Sequence, residues 1–142
     1  QLSDLFFIFD KIIFMEIEFI IYVANQSKSK EFYTKVLLQQ PSLDVRGMTE
    51  FLIAPGVKLG IMPEIGIAKI LDNKTPHPSS GNGIPRCELY LKTEKALVYY
   101  QRALMAGAIL ISEPAFRDWG DVVGYVADID GHVLAFAEPA KI

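Results

Sequence analysis

The sequence predicts an α+β fold built from two β-α-β-β-β modules in tandem, and three observations support it. The same order of strand-like and helix-like patterns occurs twice. The two helical patterns carry similar sequences, FYTKVL at 32–37 and YYQRAL at 99–104. A stretch rich in Gly, Pro, Ser and Asn, residues 65–85, separates the two copies. A module of roughly fifty residues is too small to bury its own sheet, so the modules are expected to share a core.

The first module begins with the strand pattern EIEFIIYVA at 16–24, in which apolar residues alternate with others. An amphipathic helix follows Asn25 and Ser27, either of which can cap its first turn. Short strands broken at Gly47 and at Pro55 then complete the module.

The second module repeats this order. RCELYLK at 86–92 is a strand pattern that puts Cys87 on an apolar face, so its thiol is expected to be buried and inert. A helix begins near Thr93 and ends at Gly107, and three further strands follow. The last turn contains Asp130 followed by a glycine, and DIDGHVLAFAEP ends the pattern.

These patterns divide one domain into four parts. They are an N-terminal extension (1–14), a first module (15–64), a linker loop (65–85) and a second module (86–142). The apolar extension contains Asp10 and Lys11 and is too short to span a bilayer, and we expect a short surface helix there. It lacks a basic leader and a cleavage site, so a cytoplasmic location is expected.

Net charge and cysteine content exclude some classes of partner and some kinds of site. The net charge of −3 gives no electrostatic footprint for nucleic acid or for an anionic membrane. A single cysteine excludes an intrachain disulfide and a multi-cysteine metal cluster. Neither nucleic acid nor an anionic membrane is therefore expected as a partner.

The doubled module, EFYTKVL after the first strand and the closing WGDVVGYVADIDGHVLAFAEP together resemble the vicinal oxygen chelate superfamily. This superfamily contains glyoxalase I, bleomycin-resistance proteins and extradiol dioxygenases. The resemblance covers residues 16–139, with Ile129 in place of the usual proline of the last turn. It implies that the two modules form a curved mixed sheet around a cleft. It also implies a homodimer, because members of this length often build their clefts across a two-fold axis.

The resemblance further implies where metal ligands would lie. Metal-using members take histidine and glutamate from the first and last strands of each module, and the matching residues here are Glu18, Gly60, Glu88 and Ala135. Two carboxylates without histidine could hold a weak Mg²⁺ or Ca²⁺ at most, so no cofactor is predicted. His77 and His132 lie at none of these positions, and both are interpreted as loop or turn residues.

No catalytic residue is assigned, but six residues are expected to line the cleft. Strand alternation puts Glu18, Tyr22, Glu88 and Tyr90 on the cleft side. Met62 adds a flexible thioether, and Trp119 lies in the polar, glycine-containing turn FRDWGD. If Glu18 and Glu88 lie close together, they could share a proton as an acid–base pair. We favour two solvated acids, paired with Lys58 or Lys92, that help to bind a ligand. Tyr125 and Met62 are as readily explained by ordinary packing between sheets.

Two functions are consistent with this sequence. The first is a small-molecule binding protein similar to bleomycin-resistance members, with an aromatic or cationic ligand and no superfamily metal site. The alternative is a metal-dependent lyase or dioxygenase, similar to lactoylglutathione lyase, with an atypical ligand set.

Overall fold

The computed structural model describes residues 15–141 and contains two modules of the expected order. The first module comprises β1 (Ile17–Val23), α1 (Gln26–Leu37), β2 (Leu43–Val45), β3 (Met48–Ala54) and β4 (Val57–Pro63). The connection contains α2 (Glu64–Leu71) and a 3₁₀ turn (Pro78–Gly81). The second module comprises β5 (Glu88–Lys92), α3 (Ala96–Met105), β6 (Ile109–Phe116), β7 (Asp121–Ala127) and β8 (Val133–Pro139).

Each module forms its own four-stranded mixed sheet. The strand orders are β1-β4-β3-β2 and β5-β8-β7-β6, and they correspond strand for strand. In each sheet the first strand runs parallel to the last, and the other pairs are antiparallel. The predicted α+β class and the duplicated module are therefore confirmed.

The two modules share one hydrophobic core, because one face of each sheet packs on the helices. α1 contributes Phe32 and Val36 to this core, and Asn25 caps the helix by accepting a 2.9 Å hydrogen bond from the Lys28 N–H. α3 contributes Ala103, and its Arg102 donates from Nε to the Val36 carbonyl at 3.1 Å. The helices therefore join the two modules.

Residues 65–85 are more ordered than the predicted linker loop. α2 occupies their first part, and Ile67 in that helix is buried. Asp72 ends the helix in the left-handed conformation, and its N–H bonds to the Ala68 and Lys69 carbonyls. The prediction gave weight to the later Pro and Gly residues and overlooked the apolar helical run IGIAKIL before them.

Cys87 is exposed, and the prediction of a buried thiol was wrong. β5 begins at Glu88, one residue later, so Cys87 lies outside the packed strand. The helix expected in residues 1–14 lies outside the described residues. Within residues 15–141, no helix is long and apolar enough to cross a membrane.

The turn between β7 and β8 closes the junction between the modules. Buried Asp128 accepts hydrogen bonds from the Tyr33 hydroxyl at 2.5 Å and from the N–H groups of Asp130 and His132, each at 2.9 Å. Burial and the negative charge of Asp128 raise the pKa of Tyr33 well above its usual value. The phenol therefore remains a proton donor to the carboxylate.

The same turn also contacts the start of α1. Asp130 accepts from the Ala24 N–H at 2.9 Å and from the Ser29 hydroxyl at 3.2 Å. His132 donates from Nε2 to the Tyr22 carbonyl at 2.9 Å. The interpretation of His132 as a simple turn residue missed this contact, because it joins residues far apart in the sequence.

Candidate functional site

Each sheet has an open face that is turned away from the helices. On β1, Ile21 and Val23 face the shared core, so Glu18 and Tyr22 lie on the opposite face. Met62 is the register partner of Tyr22 on β4, which puts both side chains on this face. The same alternation puts Glu88 and Tyr90 on the open face of the second sheet, because Leu89 and Leu91 pack against the core.

Glu18 lies in an acidic environment on the open face of the first sheet. Its Oε2 atom is buried and accepts no hydrogen bond from residues 15–141. Burial raises the pKa of Glu18, the neighbouring Glu50 carboxyl raises it further, and Lys58 partly offsets these effects. Lys58 also pairs with Glu50 at 3.5 Å. If the Glu18 carboxyl carries a proton, it can donate a hydrogen bond to the Glu50 carboxylate.

Gly60 makes room for this arrangement. A Cβ atom at Gly60 would lie 2.4 Å from Oε2 of Glu18 and 3.0 Å from a side-chain carbon of Ile20. The carboxyl of Glu18 therefore fills space that any larger residue at position 60 would need.

Four side chains form a connected polar cluster on the open face of the second sheet. Tyr90 donates from its hydroxyl to Oδ2 of Asp121 at 2.6 Å and accepts from Nε1 of Trp119 at 2.9 Å. Lys92 Nζ lies 3.1 Å from Oδ1 of Asp121. The hydrogen bond from Tyr90, and then the contact with Lys92, lower the pKa of Asp121. This cluster holds the indole in place although 60% of the surface of Trp119 is exposed.

Arg117 lies on the same open face of the second sheet, beside Tyr125. Its guanidinium lies 5.2 Å from the centre of the Tyr125 ring, and its Nη2 donates to Ser112 Oγ at 2.8 Å. The Nε atom of Arg117 is buried and has no partner among residues 15–141. Tyr125 also packs on a small apolar cluster that contains Ala135. Aromatic rings, a cation and a buried carboxylate therefore adjoin on one surface.

The candidate residues form two groups in the chain. Glu18, Tyr22 and Met62 belong to the first sheet, and Glu88, Tyr90 and Trp119 belong to the second. Within residues 15–141, no hydrogen bond or ion pair joins Glu18 to Glu88, and Glu88 is exposed. The structure therefore joins Tyr90 to Trp119 but pairs Glu18 with Glu50.

Sequence reasoning missed Glu50, Asp121 and Arg117. Asp121 could have been noticed as a charged residue at the start of an apolar strand, directly after a turn glycine. Glu50 follows the alternation of MTEFLIA, which puts it on the face opposite Phe51. No comparable signal marks Arg117, since its contacts depend on the fold.

Known structures show the same architecture. A glyoxalase-related enzyme from Fulvimarina pelagi superposes with a TM-score of 0.73 over 86% of both chains at 17% identity. The chain has the vicinal oxygen chelate fold. A glyoxalase/bleomycin resistance protein/dioxygenase from Nocardioides matches with a TM-score of 0.67 at 19% identity, over 99% of this chain and 95% of that one.

Sequence comparison adds little about activity. No family model matches the chain. An uncharacterized protein of Mycobacterium bovis is 26% identical over 122 residues, which cover 84% of this chain and 80% of the relative.

The residues at the ligand positions of vicinal oxygen chelate proteins do not fit a transition metal. Gly60 and Ala135 carry no donor side chain, and Oε2 of Glu18 occupies the space beside Gly60. Within residues 15–141, no three His, Cys, Asp or Glu side chains are grouped to hold a metal ion. Such metals usually need three protein ligands, most often with imidazole among them.

Proposed function

We propose that this protein binds a small organic molecule on its open sheet faces and does so without the metal site of vicinal oxygen chelate enzymes. The cluster of Tyr90, Lys92, Trp119 and Asp121 carries the proposal. An exposed indole normally samples several rotamers, but here a hydrogen bond fixes it to a phenol that is itself anchored to a buried carboxylate. A fixed aromatic surface binds flat ligands at low entropic cost.

The chemistry of both faces favours an aromatic or cationic ligand. Trp119, Tyr90 and Tyr125 offer ring faces for stacking and for cation–π contact. Glu18 and Glu50 on the first sheet, and exposed Glu88 on the second, add negative charge. Met62 adds a flexible thioether that adapts to ligand shape.

A metal-dependent lyase or dioxygenase is the second candidate. The solved structures named above are described as a glyoxalase-related enzyme and a glyoxalase/bleomycin resistance protein/dioxygenase. In this chain the adjoining carboxyl groups of Glu18 and Glu50 favour such chemistry, because a pair of carboxyl groups can hold a cation or transfer a proton. A weakly bound Mg²⁺ or Ca²⁺ on carboxylates would be the associated cation.

We also propose that two copies form a homodimer through the open faces. Large apolar side chains are exposed there, including Ile20, Tyr22 and Leu52 on the first sheet and Trp119 on the second. Surfaces of this kind mark interaction sites. Light scattering at micromolar concentration should give twice the mass of the chain, and a monomer would contradict this proposal.

The ligand-binding proposal can be tested by fluorescence, because Trp119 is the single tryptophan. A thermal-shift screen of aromatic amines and other flat compounds should identify hits. These should then change the emission of Trp119 in a saturable way. Trp119→Phe lacks the indole hydrogen bond but keeps a ring, so hits should raise its melting temperature less. A screen without hits, or hits that leave emission unchanged, would contradict the proposal.

Metal analysis separates the two candidates. Purified protein should contain no stoichiometric Ni, Zn or Fe under the ligand-binding proposal. A stoichiometric metal that is lost in Glu18→Gln together with Glu88→Gln would favour the enzyme instead.

A further inference from the structure

A cavity of about 470 Å³ lies between the two modules, and its volume is within the range of ligand sites. Five consecutive residues, Leu89–Thr93, form one wall, and Phe19 of β1 and Tyr99 of α3 are among the other lining residues. Leu89 and Leu91 are on the helix-facing side of their sheet. The cavity is therefore a different site from the open faces.

The backbone of β5 presents an unpaired edge to this cavity. Thr93 donates its N–H to the Ala137 carbonyl of β8 at 2.8 Å. Backbone groups of successive strand residues point to alternate edges, so those of Tyr90 and Lys92 point away from β8. Within residues 15–141, β8 is the strand that pairs with β5, and no strand pairs with its other edge. This explains how Tyr90 and Lys92 line the cavity although their side chains lie on the open face.

The opposite side of the cavity is also a strand with one free edge. Along β1, the Ala24 N–H and the Tyr22 carbonyl point toward the second module and are bonded by Asp130 and His132. This turn closes the seam between the modules at one end. The cavity lies farther along the seam, where Phe19 of β1 is one of its lining residues.

We propose that this cavity binds an extended peptide segment of about three to five residues, added as a strand to the free edge of β5. The N–H and C=O groups of Tyr90 and Lys92 offer the alternating donors and acceptors that a peptide main chain matches. Leu37, Ile53 and Phe19 would receive apolar side chains of the peptide. A peptide main chain pairs these backbone groups while its side chains fill the apolar part of the cavity, which a purely apolar small molecule cannot do.

The probe is the acetylated and amidated pentapeptide Thr-Val-Thr-Val-Thr, and its fully N-methylated analogue is the control. The ¹⁵N-labelled full chain is titrated with each peptide and followed by NMR. The amide signals of Tyr90 and Lys92 should move with the first peptide, and the analogue should bind at least about tenfold more weakly because it cannot donate main-chain hydrogen bonds. Equal binding of the two peptides would overturn the proposal.

A matched pair of variants tests the edge itself. Lys92→Pro removes the N–H that faces the cavity, a change that edge strands tolerate, whereas Lys92→Ala removes only the side chain. Binding should be at least about tenfold weaker in the first than in the second, because both lack the lysine side chain and only the first also lacks the N–H. Equal affinities of the two variants would overturn the proposal. If Lys92→Pro does not fold, the comparison of the two peptides decides.

Two other results would also overturn it. Peptide-induced shifts at Trp119 with none at Tyr90 and Lys92 would place the peptide on the open face. Slow hydrogen exchange of the Tyr90 and Lys92 amides in the free protein would show that the chain itself or a second copy already covers the edge. The small-molecule proposal is independent of these outcomes, because its readout is the fluorescence of Trp119.

Discussion

Asp128 at the junction of the modules and Glu18 on the first open face both have buried carboxylate oxygens, but their surroundings are opposite. Asp128 accepts three hydrogen bonds, one from a phenol and two from backbone N–H groups. Glu18 adjoins a second carboxyl, and no donor in residues 15–141 reaches its Oε2. The first environment stabilises the charged form, and the second opposes it.

This difference separates residues that hold the fold from residues that are free for function. A satisfied buried carboxylate rigidifies its surroundings. A buried acid without a donor lowers stability, and acids with perturbed pKa values cluster at functional sites. Five substitutions test this distinction, and they are given in order of decreasing effect on stability.

Asp128→Ala should give the largest loss. It leaves the buried Tyr33 hydroxyl and two partly buried N–H groups without their acceptor, and we expect a loss of about 3 kcal/mol in the free energy of unfolding. Tyr33→Phe removes a single donor and should cost about 1–2 kcal/mol. Urea denaturation measures both losses. A loss below about 1 kcal/mol for Asp128→Ala would contradict the conclusion that the Asp128 carboxylate stabilises the fold.

Asp121→Asn should destabilise the protein less than Asp128→Ala and in a pH-dependent way. The pKa of Asp121 is lowered in the folded state by Tyr90 and Lys92. The carboxylate therefore adds to the free energy of unfolding at pH values above the pKa that Asp121 has in the unfolded chain. This contribution is lost as the pH falls through the lower pKa that Asp121 has in the folded protein. Melting temperatures of the two proteins should differ at pH 7 and converge at low pH. A difference that persists in acid would show that the charge is not the cause.

Glu18→Gln should have a smaller effect of opposite sign. The pKa of Glu18 is higher in the folded protein than in the unfolded chain. Its protonated form therefore adds to the free energy of unfolding below the pKa of the unfolded chain, and this contribution is lost as the pH rises through the pKa of the folded protein. The amide removes the penalty of ionisation beside Glu50, and the variant should melt at a slightly higher temperature than the parent at pH 7 to 8. The advantage should vanish near pH 4. A variant that is less stable at neutral pH would contradict the assignment.

Trp119→Ala should leave stability nearly unchanged, within about 0.5 kcal/mol, because the ring is mostly exposed. Ligands identified by thermal shift should nevertheless lose at least about tenfold in affinity, as expected for a lost aromatic contact. Isothermal titration calorimetry measures this loss. Unchanged affinity together with unchanged stability would remove Trp119 from the site.

Strand alternation in the sequence was enough to place side chains on the correct face. Glu18, Tyr22, Tyr90 and Glu88 all lie opposite the helix-facing residues of their strands, as predicted. The two modules followed from the repeated order of elements. These features are local, since the alternation has a period of two residues and the helix repeat needs only neighbours in sequence.

The pairing of side chains across strands could not be predicted in the same way. Glu18 was considered together with Glu88, but the structure puts it beside Glu50. Asp121 was overlooked, although it anchors Tyr90. Such contacts depend on strand register and on turn lengths, and small errors in either move a side chain to a different neighbour.

The sequence by itself determined the duplicated module, the strand faces on which Glu18, Tyr22, Glu88 and Tyr90 lie, and the absence of donors at positions 60 and 135. Only the tertiary structure decided that Asp128 and Asp130 join the modules and that an unpaired edge of β5 faces a cavity between them. The physical reason is the range of the interactions. Periodicity acts over a few residues, whereas the junction joins Tyr33 to Asp128 across 95 positions and exists only after both modules have folded.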